Sequence, residues 1–220
     1  MTILEEIQKR GIVEILHFTT NKGIVGTLAK KALLSRHRLP QDEYLEHVLH
    51  VNASVRPEGA EFFDKSQNWL DYVNLSISEI NRRYYDVSQR WHENSDIWWG
   101  ILSFDSNVMS HDSIIFTTTN NAYTPYCSRQ PGVEGLRALF SPIIQRKQDW
   151  FARRGMRAQN LPTCEQAEIL YPGALSTDFL RRIYVKEGDH HDQACGWLRE
   201  FGLSHVEVTI DPTKFIGCKN

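Results

Sequence analysis

The chain has 220 residues, of which 41% are apolar and 24% are charged, a composition that excludes a largely disordered protein. Its formal net charge of -2 argues against a globally basic nucleic-acid-binding protein, so any site for a polyanion must come from a local patch. No apolar run reaches the ~18 residues that span a bilayer, and the first ten residues lack the apolar centre of a signal peptide.

The first half of the chain predicts an irregular succession of helices and strands. Residues 3–10 form the pattern of a short amphipathic helix that ends at Gly11. The patterns that follow predict a strand over 12–19, helices over 21–35 and 41–50, a strand over 69–78, a helix over 79–91, and strands over 97–104 and 113–119.

The second half begins with a longer pattern of helical spacing over 133–155, which Pro142 interrupts. After it we predict strands over 166–171 and 181–186, a helix near 190–201 and a strand over 205–210. The elements lack the regular strand–helix alternation of a doubly wound sheet, which favours an α+β fold. Because the chain contains no repeat and no linker-like tract, we expect a single domain over residues 1–220.

Glu168 stands at an unusual place, inside the short strand-like run QAEIL. Glutamate is poor in strands and is rarely buried unless it is paired. One interpretation places its side chain in solvent on the polar face of an edge strand. The other holds that the strand mounts a carboxylate for chemistry, and this stretch alone favours the first.

A second pattern, HFT at residues 17–19, lies on the strand before the first long helix. His17 and Thr19 are two residues apart, so their side chains share one face of that strand. The helix that follows carries Gly26. By itself this pattern is also typical of a solvent-facing histidine and threonine.

In combination the motifs resemble one family. HFT, Gly26, Arg56, DYV at 71–73, IIFTTTN at 114–120 and QAEIL at 166–170 occur in one order, and this series is similar to that of the DarT family, DNA ADP-ribosyltransferase toxins of bacterial toxin–antitoxin systems. The resemblance implies an α+β, ADP-ribosyltransferase-like split β-sandwich with flanking helices. It also implies NAD as co-substrate.

The resemblance assigns roles to individual positions. It implies that Glu168 and Arg56 are catalytic. The residues that it implies for NAD binding are His17, Phe18, Thr19, Gly26, Leu34 and Tyr72. A carboxylate suits this reaction because loss of nicotinamide builds positive charge on the ribose, as in glycoside hydrolysis.

The segment 145–157 predicts the nucleic-acid contact. It carries Arg146, Lys147, Arg153, Arg154 and Arg157, with Trp150 and Phe151 among them. Basic residues with interleaved aromatic rings suit single-stranded DNA, because the charges follow the backbone and the rings stack on bases. The alternative is a solvated amphipathic helix.

Metal sites receive little support from the sequence. The adjacent His190, His191 and Asp192 lack a partner cluster, and an acidic first turn of a surface helix explains them better. The four scattered cysteines without a CxxC pair argue against a zinc knuckle and a disulfide framework, and they fit a reducing cytoplasm. We therefore expect no metal.

The resemblance implies a mono-ADP-ribosyltransferase that modifies a base of single-stranded DNA and is neutralised by a macrodomain antitoxin. Two alternatives stay open: the acceptor is RNA or protein, or the chain is a non-catalytic nucleic-acid-binding module. The motif YVNLSIS at 72–78 departs from the aromatic strand of the family, and Asn120 or Asn121 stands where the family often carries a histidine. These departures concern the acceptor more than the NAD chemistry.

Overall fold

The structure is a computed structural model that describes residues 1–39, 69–91 and 96–220. The predicted helix over 41–50 lies outside the described residues. Arg56 lies outside them as well, so its predicted catalytic role stays a prediction.

The helices and strands alternate irregularly through the described part of the chain. The helices are α1 (Ile3–Arg10), α2 (Asn21–Lys30), α3 (Arg82–Trp91), α4 (Gly132–Ala138) and α5 (Gly188–Glu200). The strands are β1 (Glu14–Thr20), β2 (Ala32–Leu34), β3 (Tyr72–Ile77), β4 (Trp99–Asp105), β5 (Ile115–Thr117), β6 (Arg129–Pro131), β7 (Ile143–Lys147), β8 (Trp150–Arg153), β9 (Glu168–Pro172), β10 (Ala174–Ser176), β11 (Leu180–Val185) and β12 (Glu207–Ile210). None of the helices in this part of the chain is long and apolar enough to cross a bilayer.

Both ends of α1 follow from its local sequence. Thr2 and Glu5 form a reciprocal capping box at the start of the helix, which satisfies two backbone donors that the first turn leaves without partners. Gly11 ends the helix in the left-handed region at φ 63°, where glycine avoids the Cβ penalty. The predicted helix over 3–10 is therefore confirmed with its boundary.

Eight strands form the main sheet in the order β12–β11–β4–β1–β3–β9–β5–β6. β1 pairs with β4 over its whole length, from Glu14 to Thr20. Its pairing with β3 covers only Ile15 and Leu16. The sheet therefore divides where β1 continues past Leu16, and His17 is the first residue beyond that last pair.

Two apolar clusters cover opposite faces of β1. Ile15 belongs to the larger cluster, which includes the buried face of α2. Leu16 belongs to a smaller one with Tyr85 and Phe215. This alternation fixes the register, because a shift of one residue would expose both clusters.

The prediction of a long helix over 133–155 is wrong. Only Gly132–Ala138 is helical, and the hairpin β7–β8 follows it. Along β7 the burial alternates, with Ile144 and Arg146 buried and their neighbours exposed. A burial period of two is that of a strand. The sequence did not show this period, because a charged residue such as Arg146 is normally expected on the solvent-facing side.

The predicted helix over 21–35 is too long at its C-terminal end. α2 ends at Lys30, because Lys31 adopts a left-handed conformation at φ 52°. The chain then turns into the short strand β2, which pairs with β10. The short strands β6 and β10 had no counterpart among the predicted elements, and the remaining described strands and helices lie within a few residues of their predicted ranges.

Candidate active site

Glu168 begins β9, which lies in the interior of the sheet between β3 and β5. Its side chain is 8% exposed, so the interpretation that placed it in solvent on an edge strand is wrong. The backbone N–H of Asn121 donates to Glu168 Oε2 over 2.9 Å. The Asn74 side-chain amide also lies within hydrogen-bonding reach of the carboxylate.

Burial raises the pKa of Glu168 from 4.5 to about 7. The hydrogen bonds from Asn121 and Asn74 and the positive charge of Arg129 all act in the opposite direction, but desolvation is the largest effect. The pKa therefore lies close to neutral pH. A carboxyl group of this kind exists in both protonation states near pH 7 and can exchange a proton with a reactant.

His17 is half-buried and lies across the divided part of the sheet from Asn74. Its Nδ1 is 2.9 Å from the Asn74 carbonyl oxygen, and since a carbonyl can only accept, Nδ1 carries the proton. Desolvation lowers the pKa of the imidazole, opposed by this hydrogen bond. The neutral ring then has Nε2 as an acceptor, which suits the hydroxyl of a sugar.

Asn74 joins the two predicted site residues. Its carbonyl accepts from His17 while its side-chain amide reaches Glu168. The register explains this position, because Asn74 pairs with Leu170 on β9, two residues from Glu168 and on the same face. The departure from the family's aromatic strand thus places an amide between the histidine and the glutamate.

Phe18 and Thr19 lie on opposite faces of β1. The Phe18 ring packs 5.3 Å from Tyr85 and 5.7 Å from Trp99, on the face of the smaller cluster. The Phe18 ring therefore does not share the face of His17, and its predicted role in NAD binding stays a prediction. Thr19 shares the face of His17 and packs against α2, where a Cβ at Gly23 would lie 2.0 Å from Thr19 Oγ1.

The other positions predicted for NAD lie in different surroundings. Gly26 is buried within α2, and Leu34 is half-buried on β2 beside Ala174 of β10. Tyr72 begins β3 on the same face as Asn74, and its ring lies 5.7 Å from that of Trp69. Within the described residues, only Tyr72 of these three shares a strand with a group that contacts Glu168.

The residues between β5 and β6, 118–128, form a loop that we call the Asn121 loop. Arg129 holds it from β6, because Nε donates to Asn121 Oδ1 over 2.6 Å and Nη2 donates to the Asn121 carbonyl over 2.7 Å. Nη2 also donates to Thr124 Oγ1 over 2.8 Å. The loop therefore presents the Asn121 N–H to Glu168 from a fixed backbone.

Residues 16–216 match the model of a protein family described as ssDNA thymidine ADP-ribosyltransferase, DarT. The chain belongs to the DarT family. The family described in this way acts on single-stranded DNA, which agrees with the resemblance in the sequence. The description also names thymidine, a nucleoside that the sequence alone did not identify.

Solved DarT structures share the fold at 14% sequence identity. Thermus sp. 2.9 DarT in complex with ADP-ribosylated ssDNA matches 93% of this chain and 96% of its own with a TM-score of 0.64, and the same protein in complex with NAD+ gives 0.58 over 90% and 96%. Thermosipho africanus DarTG in complex with ADP-ribose gives 0.59 over 94% of this chain. This chain spans only 52% of the DarTG chain. No curated protein sequence matches.

The predicted α+β ADP-ribosyltransferase fold is thereby confirmed for this DarT chain. Its basic segment is less uniform than the sequence suggested. Arg146 is fully buried and pairs with Glu165, while its Nε donates to Cys164 Sγ over 3.2 Å. This corrects its prediction as a DNA contact, because the guanidinium is enclosed by the protein.

Arg157 and Arg154 also bond to the protein itself. Arg157 pairs with Glu79 and donates to the carbonyl of Cys218 over 2.8 Å. Arg154 donates to the carbonyls of Leu161 and Ala158 over 3.0 Å each. Both side chains hold backbone turns, and their predicted role in DNA binding loses its support.

Lys147 and Arg153 remain from the predicted basic set, and both are exposed. They lie on the hairpin β7–β8 with the exposed ring of Phe151. Lys147 Nζ also lies 4.8 Å from the centre of the Tyr123 ring, and Tyr123 belongs to the Asn121 loop. The hairpin thus adjoins the loop that contacts Glu168.

The histidines near residue 190 have separate environments. His190 stacks on Trp98 with ring centres 4.5 Å apart, and His191 lies 3.0 Å from the carboxylate of Asp192. Over residues 1–39, 69–91 and 96–220, no group of three His, Cys, Asp or Glu is arranged to hold a metal.

The sequence patterns did not predict the roles of Asn74, Gly23 and Arg129. Asn74 had a usable signal, because asparagine is unfavourable within a strand. Gly23 follows the N-cap Thr20, and the pattern drew attention to Gly26 instead. Arg129 had no local signal, since its importance depends on the return of β6 beside β5.

Proposed function

We propose that this DarT chain transfers ADP-ribose from NAD to thymidine in single-stranded DNA, with Glu168 as the catalytic carboxylate. The observation that carries the assignment is the bridge at Asn74, which brings Glu168 and the imidazole of His17 to one face at the divided part of the sheet. Family membership supplies the reaction class, and the bridge supports the roles of the individual residues.

The first step breaks the bond between the ribose C1′ of NAD and the nicotinamide nitrogen. The bonding pair leaves with nicotinamide, and positive charge develops on the ribose. Ionised Glu168 is buried, so its charge is poorly screened and stabilises this cationic state more than it would in water. The β9 strand fixes the carboxylate before the reaction begins.

The second step forms a bond from C1′ to a ring nitrogen of thymine. In thymidine N1 already carries the deoxyribose, so N3 is the ring nitrogen that can lose a proton and attack. Glu168 would accept that proton as a general base, and its pKa of about 7 suits this role. The base must be unpaired, because N3 is engaged in a duplex.

We assign NAD binding to the face of β1 that carries His17 and Thr19. His17 Nε2 accepts a hydrogen bond from a ribose hydroxyl, and its neutral state avoids repulsion with the cationic transition state. The close approach of Thr19 to Gly23 keeps β1 against the first turn of α2, whose N-terminus favours phosphate. Arg56 keeps its proposed role of holding the pyrophosphate or the acceptor.

The DNA strand is proposed to cross the hairpin β7–β8. Lys147 and Arg153 supply positive charge, and Phe151 supplies a ring on which a base can stack, worth about 1–3 kcal/mol. Replacing both basic residues by glutamine should weaken binding of oligo(dT) and reduce its dependence on salt. Unchanged binding and an unchanged salt slope would remove this surface from the proposal.

In the cell, we propose that the chain acts in the cytoplasm as a toxin held in check by a macrodomain antitoxin. Support comes from its likeness to Thermosipho africanus DarTG, of which it spans 52%. We also propose that residues 1–220 form one domain, since the family match covers 16–216.

The direct test is mass spectrometry of oligonucleotides incubated with the protein and NAD. Single strands that contain thymidine should gain one ADP-ribose, and matched strands without thymidine should not. The Glu168→Gln variant serves as the control, since it keeps the shape of the side chain and loses its charge.

The acceptor and the NAD chemistry can be separated in the same assay. Nicotinamide release that depends on Glu168, without a DNA adduct, would replace DNA by RNA or protein acceptors. Neither release nor adduct from the folded wild-type protein would contradict the proposed function and favour a binding module.

A further inference from the structure

Arg129 lies in one row with Glu168 across three strands. Thr117 on β5 pairs with Glu168 on one side and with Arg129 on the other. Residues opposite each other in a sheet point to the same face, so the guanidinium and the carboxylate stand on one face two strands apart. Thr117 between them is fully buried.

The Asn121 loop connects these two groups through hydrogen bonds. Asn121 is 6% exposed, and three of its polar groups make hydrogen bonds to two different residues. Its backbone N–H donates to Glu168 Oε2, whereas its carbonyl and side-chain oxygens both accept from Arg129. Asn121 thus transmits the position of Arg129 to Glu168 without a direct bond between the two charges.

We propose that Arg129 is a positioning residue, which fixes the Asn121 loop so that the Asn121 N–H holds the Glu168 carboxylate in place. The inference rests on the proposed catalytic role of Glu168. Arg129 acts through Asn121 and does not bind substrate.

The geometry of Arg129 favours this role over that of a ligand for phosphate. Its Nε and Nη2 are committed to Asn121 and Thr124 at 2.6–2.8 Å. Its guanidinium also stacks over the Trp69 ring, 5.1 Å from the ring centre. A guanidinium fixed by both its donors and its face is suited to holding a loop.

The test compares Arg129→Gln, Asn121→Ala and the double variant in single-turnover and steady-state assays. The Asn121→Ala variant keeps the backbone N–H but removes the side-chain oxygen that accepts a hydrogen bond from Arg129. Each single variant should lower kcat about 10- to 100-fold with little change in KM, the cost of a small misplacement at a reacting centre. The double variant should be no worse than the worse single one, because both break the same link.

The controls and the contrary results are distinct. Arg182→Gln removes an exposed ion pair with Glu207 near the opposite edge of the sheet and should leave kcat unchanged. Arg129→Lys should recover part of the rate, since one donor can still reach the loop. A rise in KM alone, additive losses in the double variant, or wild-type rates would each overturn the positioning role.

A second measurement does not depend on activity. Among the described residues, the ionisable groups that face Glu168 are Arg129, Cys127 in the loop, and His17 across the divided sheet. The positive charge of Arg129 by itself lowers the pKa of Glu168, so the variant for this measurement is Asn121→Ala, which breaks the link and leaves that charge in place. The less well placed Asn121 N–H should raise the pKa of Glu168 further, which extends the fall in stability to higher pH.

That shift should disappear in the Glu168→Gln background, where Asn121→Ala can change stability only by a constant amount. A shift that persists there, or no shift in either background, would contradict the proposal even if the protein proves inactive. A shift that depends on Glu168 in a protein without transferase activity would uphold the positioning role and reject the proposed function.

Discussion

Two buried glutamates, three residues apart, show how one residue type is used in two ways. Glu165 is 2% exposed and bonds to the guanidinium groups of Arg146 and Arg83. Glu168 is 8% exposed and accepts from neutral groups, the Asn121 N–H and the Asn74 amide. Paired charges make the first a structural element, whereas neutral donors leave the second with its pKa raised and its proton exchangeable.

The difference teaches that burial alone does not identify a catalytic carboxylate. Glu165 lies beside Cys164, whose thiol accepts from Arg146, so this turn is anchored before β9 begins. The anchored turn then delivers Glu168 into the sheet at a fixed register. One glutamate holds the strand, and the strand positions the other, for which we propose the catalytic role.

The largest expected effect is on activity at Glu168. Glu168→Gln should lower nicotinamide release at least 10²–10³-fold, because a preorganised electrostatic group at the reacting centre is lost. The fold should persist, since glutamine can still accept from Asn121. The circular dichroism spectrum and the rate of nicotinamide release, measured on the same preparation, check both statements. A rate within a few-fold of wild type would contradict the catalytic role that distinguishes Glu168 from Glu165.

The next effect is on stability at Glu165. Glu165→Gln leaves the buried Arg146 charge without its partner, and removal of one member of a buried pair costs about 3–5 kcal/mol. Urea unfolding measures this free energy directly. If instead the variant unfolds like the wild type, the Glu165 pair does not anchor the turn before β9.

Glu168→Gln should have the opposite effect on stability at high pH. The pKa of Glu168 is 4.5 when the chain is unfolded and about 7 when it is folded, so between these values the folded state binds more protons and stability falls as pH rises. Below about pH 4.5 both states are protonated, and above about pH 7 the full penalty of up to about 3 kcal/mol applies. The Glu168→Gln variant has no ionisable group at this position, so it does not incur this penalty.

Urea unfolding at about pH 5 and about pH 8 measures this effect. The advantage of Glu168→Gln over wild type should grow from the lower to the higher pH. A constant difference would mean that the pKa of Glu168 is not raised. Glu168 and Glu165 would then differ only in their hydrogen-bond partners.

The smallest expected effect concerns Asn74. Asn74→Ala keeps the carbonyl that accepts from His17 and removes the amide near Glu168. The pKa of Glu168 should then rise, so the rate at neutral pH should fall a few-fold and recover as pH increases. The measurement is the pH profile of nicotinamide release, with Asn81→Ala outside the site as the control. A loss of rate that is equal at every pH would show that Asn74 affects the geometry of the site and not the pKa of Glu168.

Local periodicity accounts for what the sequence predicted of the site. His17 and Thr19 share a face because strand side chains alternate, and QAEIL was correctly identified as a strand. The order of the motifs was enough to identify the family, which the match over residues 16–216 confirms. Gly11 and Thr2 likewise determined both ends of α1 through local hydrogen bonds.

The sequence by itself therefore determined the family, the elements around HFT and the strand that carries Glu168. Only the tertiary structure decided that Arg146 is buried, that Asn74 bridges His17 and Glu168, and that Arg129 holds the Asn121 loop. The physical reason is the range of the interactions. Alternation and capping act within a few residues, whereas desolvation and ion pairing depend on which distant strands meet in the sheet.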